Sequence, residues 1–248
     1  MFRRSITQGA VQMMASSDLS EVIVTGLRGS NAVREQLGDY HLYRVPWPTD
    51  LNARQTKQVS FLTKSDVKVE RFYQQSINAY DAAGESNQIP SLMLAFENRK
   101  SGGLGEPLPE GVLRLYEPDP AGDMFAGEGN ILDTAVNDPA ELRLAGAVDL
   151  ALQTHLEQRR DTDQDGERAG NLAEAAIRIA NAKQVPITIE IRQRSDPYSA
   201  GLAQVLKSSA RTYRKKGDYA WRVRVPANTD GTLTYRLRVP EPKEDDDE

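Results

Sequence analysis

The chain has 248 residues, 39% of them hydrophobic and 27% charged, which is enough apolar material for one large core or two small ones. Its net charge of −5 has the wrong sign for generic binding to a phosphate backbone, so nucleic acid is not expected as a partner. With no cysteine, the sequence excludes disulfides, thiolate metal sites and cysteine nucleophiles, and no apolar run approaches the ~20 residues of a membrane-spanning helix.

The amino-terminal stretch MFRRSITQGAVQMMASS opens on basic residues and ends on small ones, as signal peptides do. Thr7, Gln8, Gly9 and Gln12 interrupt the apolar stretch that such a peptide requires. Residues 1–35 therefore read as a flexible leader, broken by the β-branched run EVIVTG. From Asp39 the texture changes to short runs rich in Val, Leu, Tyr and Phe, such as DYHLYRVPWP, KQVSFL, PSLMLAFEN, GVLRLYEP and DMFAGEGNIL. Pro, Gly, Asn and Asp separate them, which is the rhythm of an all-β chain.

In VKVERFY, Val67, Val69 and Arg71 alternate with Lys68, Glu70 and Phe72, as in a half-buried strand. The Gly- and Pro-rich RKSGGLGEPLPEG must be a loop. In ELRLAGAVDLALQTHLEQRR, the alternation of Leu142 with Leu144 and of Val148, Leu150 and Leu152 favours strands over a helix.

Further on, Ile177 and Ile179, then Ile187, Ile189 and Ile191, mark two strands joined by a turn around Asn181 to Pro186. Trp221, Val223 and Val225, then Leu233, Tyr235 and Leu237, mark two more, with Trp221 expected in the core. Between the pairs, DPYSAGLAQVLKSSARTYRKKGD reads as an insertion carrying one short helix, Ala200 to Ser209. The tail EPKEDDDE is too charged to pack. The expected fold is all-β, with two immunoglobulin-like β-sandwich lobes and at most one or two short helices. The expected division is a leader at 1–35, one lobe at 36–146, a second at 147–240 and a disordered acidic tail at 241–248.

The candidate chemistry is sparse. DTDQDG places Asp161, Asp163, Asp165 and Gly166 where a calcium loop begins, but its eighth position is Arg168 and its twelfth is Leu172 in place of the closing bidentate glutamate. Any calcium site there would be weak, and a solvated acidic turn between strands is the favoured reading. His41 and His155, far apart in the chain and each in an expected strand, do not make a zinc site. G-x-S-x-G and phosphate-cradling loops are absent, and nothing singles out a carboxylate pair for glycoside hydrolysis among 36 acidic residues. Arg211, Tyr213, Arg214, Lys215 and Lys216 form a basic cluster that could hold an anionic glycan or headgroup, or simply be a solvated loop. Trp47, between two prolines, is a candidate sugar-stacking ring.

Four ordered segments carry a resemblance. LGDYHLYRVPWPTDLNARQTKQVSFL, GEPLPEGVLRLYEPDPAGDMFAGEGNI, IRIANAKQVPITIEI and VRVPANTDGTLTYRLRV are similar to successive parts of the C-terminal domain of mucoidy-inhibitor-type bacterial proteins, a domain of unknown function. The similarity spans roughly residues 36 to 240. It implies a mostly β domain of an exported envelope protein, normally preceded by a signal peptide and another domain, neither of which is evident here. It implies no catalytic residues.

The expectation is a non-enzymatic envelope or surface component of the periplasm or outer membrane, acting through protein or glycan contacts. Loops Arg99 to Gly111 and Asp196 to Gly217 would carry those contacts. An enzyme acting on envelope polysaccharide is the alternative, and a cytoplasmic assembly factor a third.

Overall fold

The computed structural model describes residues 62–78, 83–162, 168–194 and 203–239, together with 23–24, 33–37, 40–44, 48, 56–57 and 60. In chain order the strands are β1 Ile23–Val24, β2 Val33–Leu37, β3 Tyr40–Arg44, β4 Thr56–Lys57, β5 Val69–Ile77 and β6 Gly84–Gln88. Then come β7 Ser91–Glu97, β8 Gly111–Asp119, β9 Gly122–Ile131, β10 Pro139–Gly146 and β11 Leu150–Thr162. The remainder are β12 Arg168–Asn181, β13 Ile187–Gln193, β14 Gln204–Ser208, β15 Thr212–Lys215, β16 Asp218–Val225 and β17 Thr229–Val239. The single 3-10 turn Lys100–Gly102 is the only helix among the described residues, so the chain is all-β and sandwich-like.

Two compact units share the chain: Met1–Glu70 with Leu94–Leu144, and Arg71–Met93 with Ala145–Glu248. This differs from two consecutive lobes meeting near residue 147. Residues 71–93 belong with the second unit because β5 pairs with β13 and β6 with β11. The acidic tail, most of the leader and Trp47 lie outside the described residues.

In the first unit, β8 and β9 form a two-stranded antiparallel ribbon, and β10 lies beside β7. Its core is Leu94, Phe96, Ile131, Ala140 and Leu142, against which Leu104, Leu108, Leu113 and Leu144 pack. Gly129 is required where β9 meets β10, since a Cβ there would collide with the carbonyl oxygen of Arg143. The Gly-rich segment after β7 is an ordered loop fixed by one buried side chain. Asn98 Nδ2 donates to the carbonyls of Glu106 (2.7 Å), Thr134 (3.1 Å) and Ala135 (3.0 Å), while its Oδ1 accepts from the Gly105 N–H (3.0 Å).

In the second unit, β5-β13-β16-β15 are consecutive strands of one sheet, with β5 and β13 parallel and β13, β16 and β15 antiparallel in turn. The other runs β14-β17-β12-β11-β6, antiparallel throughout. Alternation supplies the buried faces: Ile187, Ile189 and Ile191 of β13, Trp221 and Val225 of β16, Leu152 of β11, Ile177 and Ile179 of β12, Leu233 and Leu237 of β17. The sheets meet where Trp221 stacks on Tyr235, ring centroids 4.3 Å apart. Both rings satisfy their polar atoms: Trp221 Nε1 donates to Thr212 Oγ1 (2.8 Å) and Tyr235 Oη to Gln193 Oε1 (2.9 Å). Burial raises the pKa of the Tyr235 hydroxyl, so it remains a donor.

Two local expectations are corrected. Part of the expected helix at Ala200 to Ser209 is strand β14, because the edge of β17 offers backbone partners that a lone helical turn lacks. VKVERFY does not alternate between a buried and an exposed face: Val69, Glu70 and Arg71 are exposed, whereas Phe72 and Tyr73 are both buried. Each of those two rings is covered on its own side of the sheet, Phe72 beneath the cationic groups of Lys215 and Arg222 and Tyr73 on the side of Ile189, its register partner.

Candidate functional site

The outward face of the five-stranded sheet carries a trough that runs across the strands. Register fixes its layout. Ala176 of β12 stands between Thr234 of β17 and His155 of β11, and His155 faces Glu85 of β6. Beyond Thr234, the row ends at Ser209, whose Oγ accepts the Thr234 N–H at 2.9 Å. These mostly short side chains form the floor.

One bank is the next row, Lys207, Arg236, Glu174 and Glu157; the other is Thr232, Arg178, Gln153 and Asn87. Two hollows of about 330 and about 250 Å³ lie along the trough and share His155 and Ala176. With strands about 4.8 Å apart, a row across five strands is roughly 20 Å long.

The banks are held by their own ion pairs and hydrogen bonds. Arg236 Nη2 lies 2.7 Å from Glu174 Oε1, and His155 Nε2 lies 3.0 Å from Glu157 Oε1. Arg178 donates through Nε to Asp230 Oδ2 (2.8 Å) and through Nη1 to Gln153 Oε1 (3.0 Å). Glu174, Arg178 and Asp230 are thereby paired, and hydroxyls, amides and fixed ionic groups line the hollows. Glu157 and Glu174 are register partners on neighbouring strands, and the Arg236 guanidinium beside Glu174 offsets the repulsion expected between like charges placed so.

The basic cluster is divided by the strand pleat. Tyr213 and Lys215 point to the outer face of the four-strand array, where they meet Glu190 of β13. Arg214 points to the other face, stacks 3.5 Å over the Tyr219 ring and donates to the Gly217 carbonyl. Lys216 sits exposed in the turn before β16, with a φ of 52°, and Arg211 is exposed before β15.

Glu190 is fully buried and accepts from Tyr213 Oη (2.6 Å), Arg192 Nε (2.6 Å), Lys215 Nζ (3.1 Å) and Arg222 Nε (3.2 Å). Burial alone would push its carboxyl up; the hydrogen bonds from Tyr213, Lys215 and Arg192 more than reverse this and hold it at about 2. Burial, and then the bond to Glu190, raise the pKa of the Tyr213 hydroxyl. The group is a closed ionic knot that fixes β15 onto β13 and β16.

Asp161, next to last in β11, is bound by Arg238 of β17, whose Nε lies 2.5 Å from Asp161 Oδ2. Asp163 and Asp165 lie outside the described residues, between the paired Thr162 and Arg168. Among the described residues no cluster of three or more His, Cys, Asp or Glu side chains is placed to hold a metal. His155 is a half-exposed trough residue, and the side chain of His41 lies outside the described residues.

Of the two loops expected to make contacts, the one after β7 is latched by Asn98. The other supplies edge strands β14 and β15 to the two sheets. No helix among the described residues is long and apolar enough to cross a membrane.

The trough escaped the sequence reading because its rows come from five strands. Alternation does mark His155 and Glu157, Glu174 and Arg178, and Thr232 and Arg236 as outward-facing, but not which of them are neighbours. Fold and face together define an all-β, sandwich-like protein with two adjoining hollows on the outward face of one sheet. No family model, no curated protein and no solved structure matches the chain.

Proposed function

We propose that the protein is a non-enzymatic bacterial envelope or surface component that holds a polysaccharide strand in the cross-strand trough. The observation that supports this reading is the trough itself: two adjoining hollows that share His155 and Ala176, whose banks present donors and acceptors on both sides. A hydroxyl-rich chain satisfies such banks along its length, whereas an apolar peptide would leave them unpaired. The envelope location rests on the resemblance in residues 36 to 240.

The test titrates the full chain with peptidoglycan fragments and with purified capsular and lipopolysaccharide-derived glycans. Saturable binding to one class, weakened about tenfold by Ala176→Arg with unchanged melting temperature, is the expected result. Failure of every glycan to bind, or equal binding by the blocked variant, would remove the reading.

One observation favours a second reading, an enzyme acting on the same polysaccharide: Glu157 and Glu174 are paired carboxylates in one cleft. They stand side by side on one bank, Glu174 ion-paired with Arg236 and Glu157 in hydrogen-bonding contact with His155, and do not flank the trough from opposite sides as an acid and a nucleophile would. Release of reducing ends that disappears in Glu157→Gln and Glu174→Gln would establish the enzyme.

A further inference from the structure

The β8–β9 ribbon of the first unit ends in an exposed apolar tip. Tyr116 and Phe125 are register partners just beyond a bulge, and their rings meet edge to face with centroids 5.7 Å apart. They are 43% and 53% exposed, and Met124, opposite Glu117 on the other face, is 59% exposed. Below the tip, Arg114 and Glu128 close an ion pair at 3.0 Å, and Leu113 packs against the unit's core. The ribbon is thus anchored at its base and presents two aromatic rings and a thioether to solvent, a combination enriched at the centres of protein interfaces.

We infer that this tip docks into a different protein, at an apolar pocket rimmed by lysine and arginine. Charge selects the partner. From Tyr116 to Phe125 the chain carries Glu117, Asp119 and Asp123 and no basic residue. An anionic lipid surface would repel such a tip, and a second copy meeting it across a two-fold axis would bring like charges together.

The backbone selects the mode. Pro118 lies within β8 and Pro120 follows it, so that edge of the tip is short of two N–H groups for strand addition, and the exposed rings and thioether carry the recognition. This contact is independent of the trough, which belongs to the other unit.

The test places a photo-crosslinking amino acid at Met124 of the full chain in its native host. Adducts are identified by mass spectrometry down to the crosslinked peptide. The expected result is one protein adduct whose crosslinked site carries basic residues around apolar ones. Its yield should fall about tenfold with Phe125→Ser, and again with Glu117→Lys combined with Asp123→Lys, while the melting temperature stays unchanged. Four outcomes would overturn the inference: no protein adduct, adducts only with lipid, adducts only with a second copy of this chain, or an adduct insensitive to charge reversal.

Discussion

Replacing Glu190 with glutamine should remove a measurable share of the second unit's stability. The carboxylate is fully buried and accepts from Tyr213, Arg192, Lys215 and Arg222. A carboxyl with an ordinary value of 4.5 that is held at about 2 in the fold contributes about 3 kcal/mol near neutral pH. Because the folded value lies below the unfolded one, that contribution is complete above about pH 5 and is lost as the pH falls towards 2. Glu190→Gln leaves three cations facing a neutral amide, so the cost at pH 7 should also be about 3 kcal/mol, at the lower end for breaking a buried ion pair.

Urea unfolding in a Trp47→Phe background reads this directly, since Trp221 is then the sole tryptophan and is buried at the sheet interface. Wild type should lose about 3 kcal/mol more than the variant between pH 5 and pH 2. A variant within about 1 kcal/mol of wild type at pH 7, or one with the same acid limb, would refute the reasoning.

Two further outcomes are expected. Asn98→Ala removes four hydrogen bonds at once and leaves the Gly105 N–H without its acceptor. It should cost about 2–3 kcal/mol and speed hydrogen exchange through residues 99–110, and unchanged exchange there would mean that the loop is fixed by something else. Calorimetry with calcium should give no micromolar binding, because Asp161 is already engaged by Arg238. A micromolar dissociation constant would show that Asp161 to Asp165 is a metal loop after all.

Much of the second unit can be read from period-two patterns. Ile187, Ile189 and Ile191 alternate and are buried, as are Ile177 and Ile179, and Trp221 lies in the core. The stretch from Leu142 to Leu152 is two strands, as alternation implies at Leu142, Leu144, Leu150 and Leu152, but Val148 belongs to neither and stands exposed in the turn between them. What could not be read depends on which strands become neighbours. Glu190 occupies an outward position of β13 and looks solvated in sequence, yet side chains from β15 and β16 enclose it. The AGLAQVLKSS pattern suits a helical turn, but pairing with β17 outweighs that preference from Gln204 onward. The link between β5 and β13 is parallel and spans the whole of residues 94–144, a pairing that no local signal announces.

That last pairing has a consequence for how the chain is made. Synthesis delivers β5 and β6 early, but their partners β13 and β11 emerge only after the intervening segment of the other unit. Until then both strands wait with open hydrogen-bonding edges, and closing the second unit must meet the entropy of a long loop. Folding of this unit should therefore be slow and late. A fragment beginning at Ala147 would carry β13 and β11 with their edges bare and be prone to aggregate.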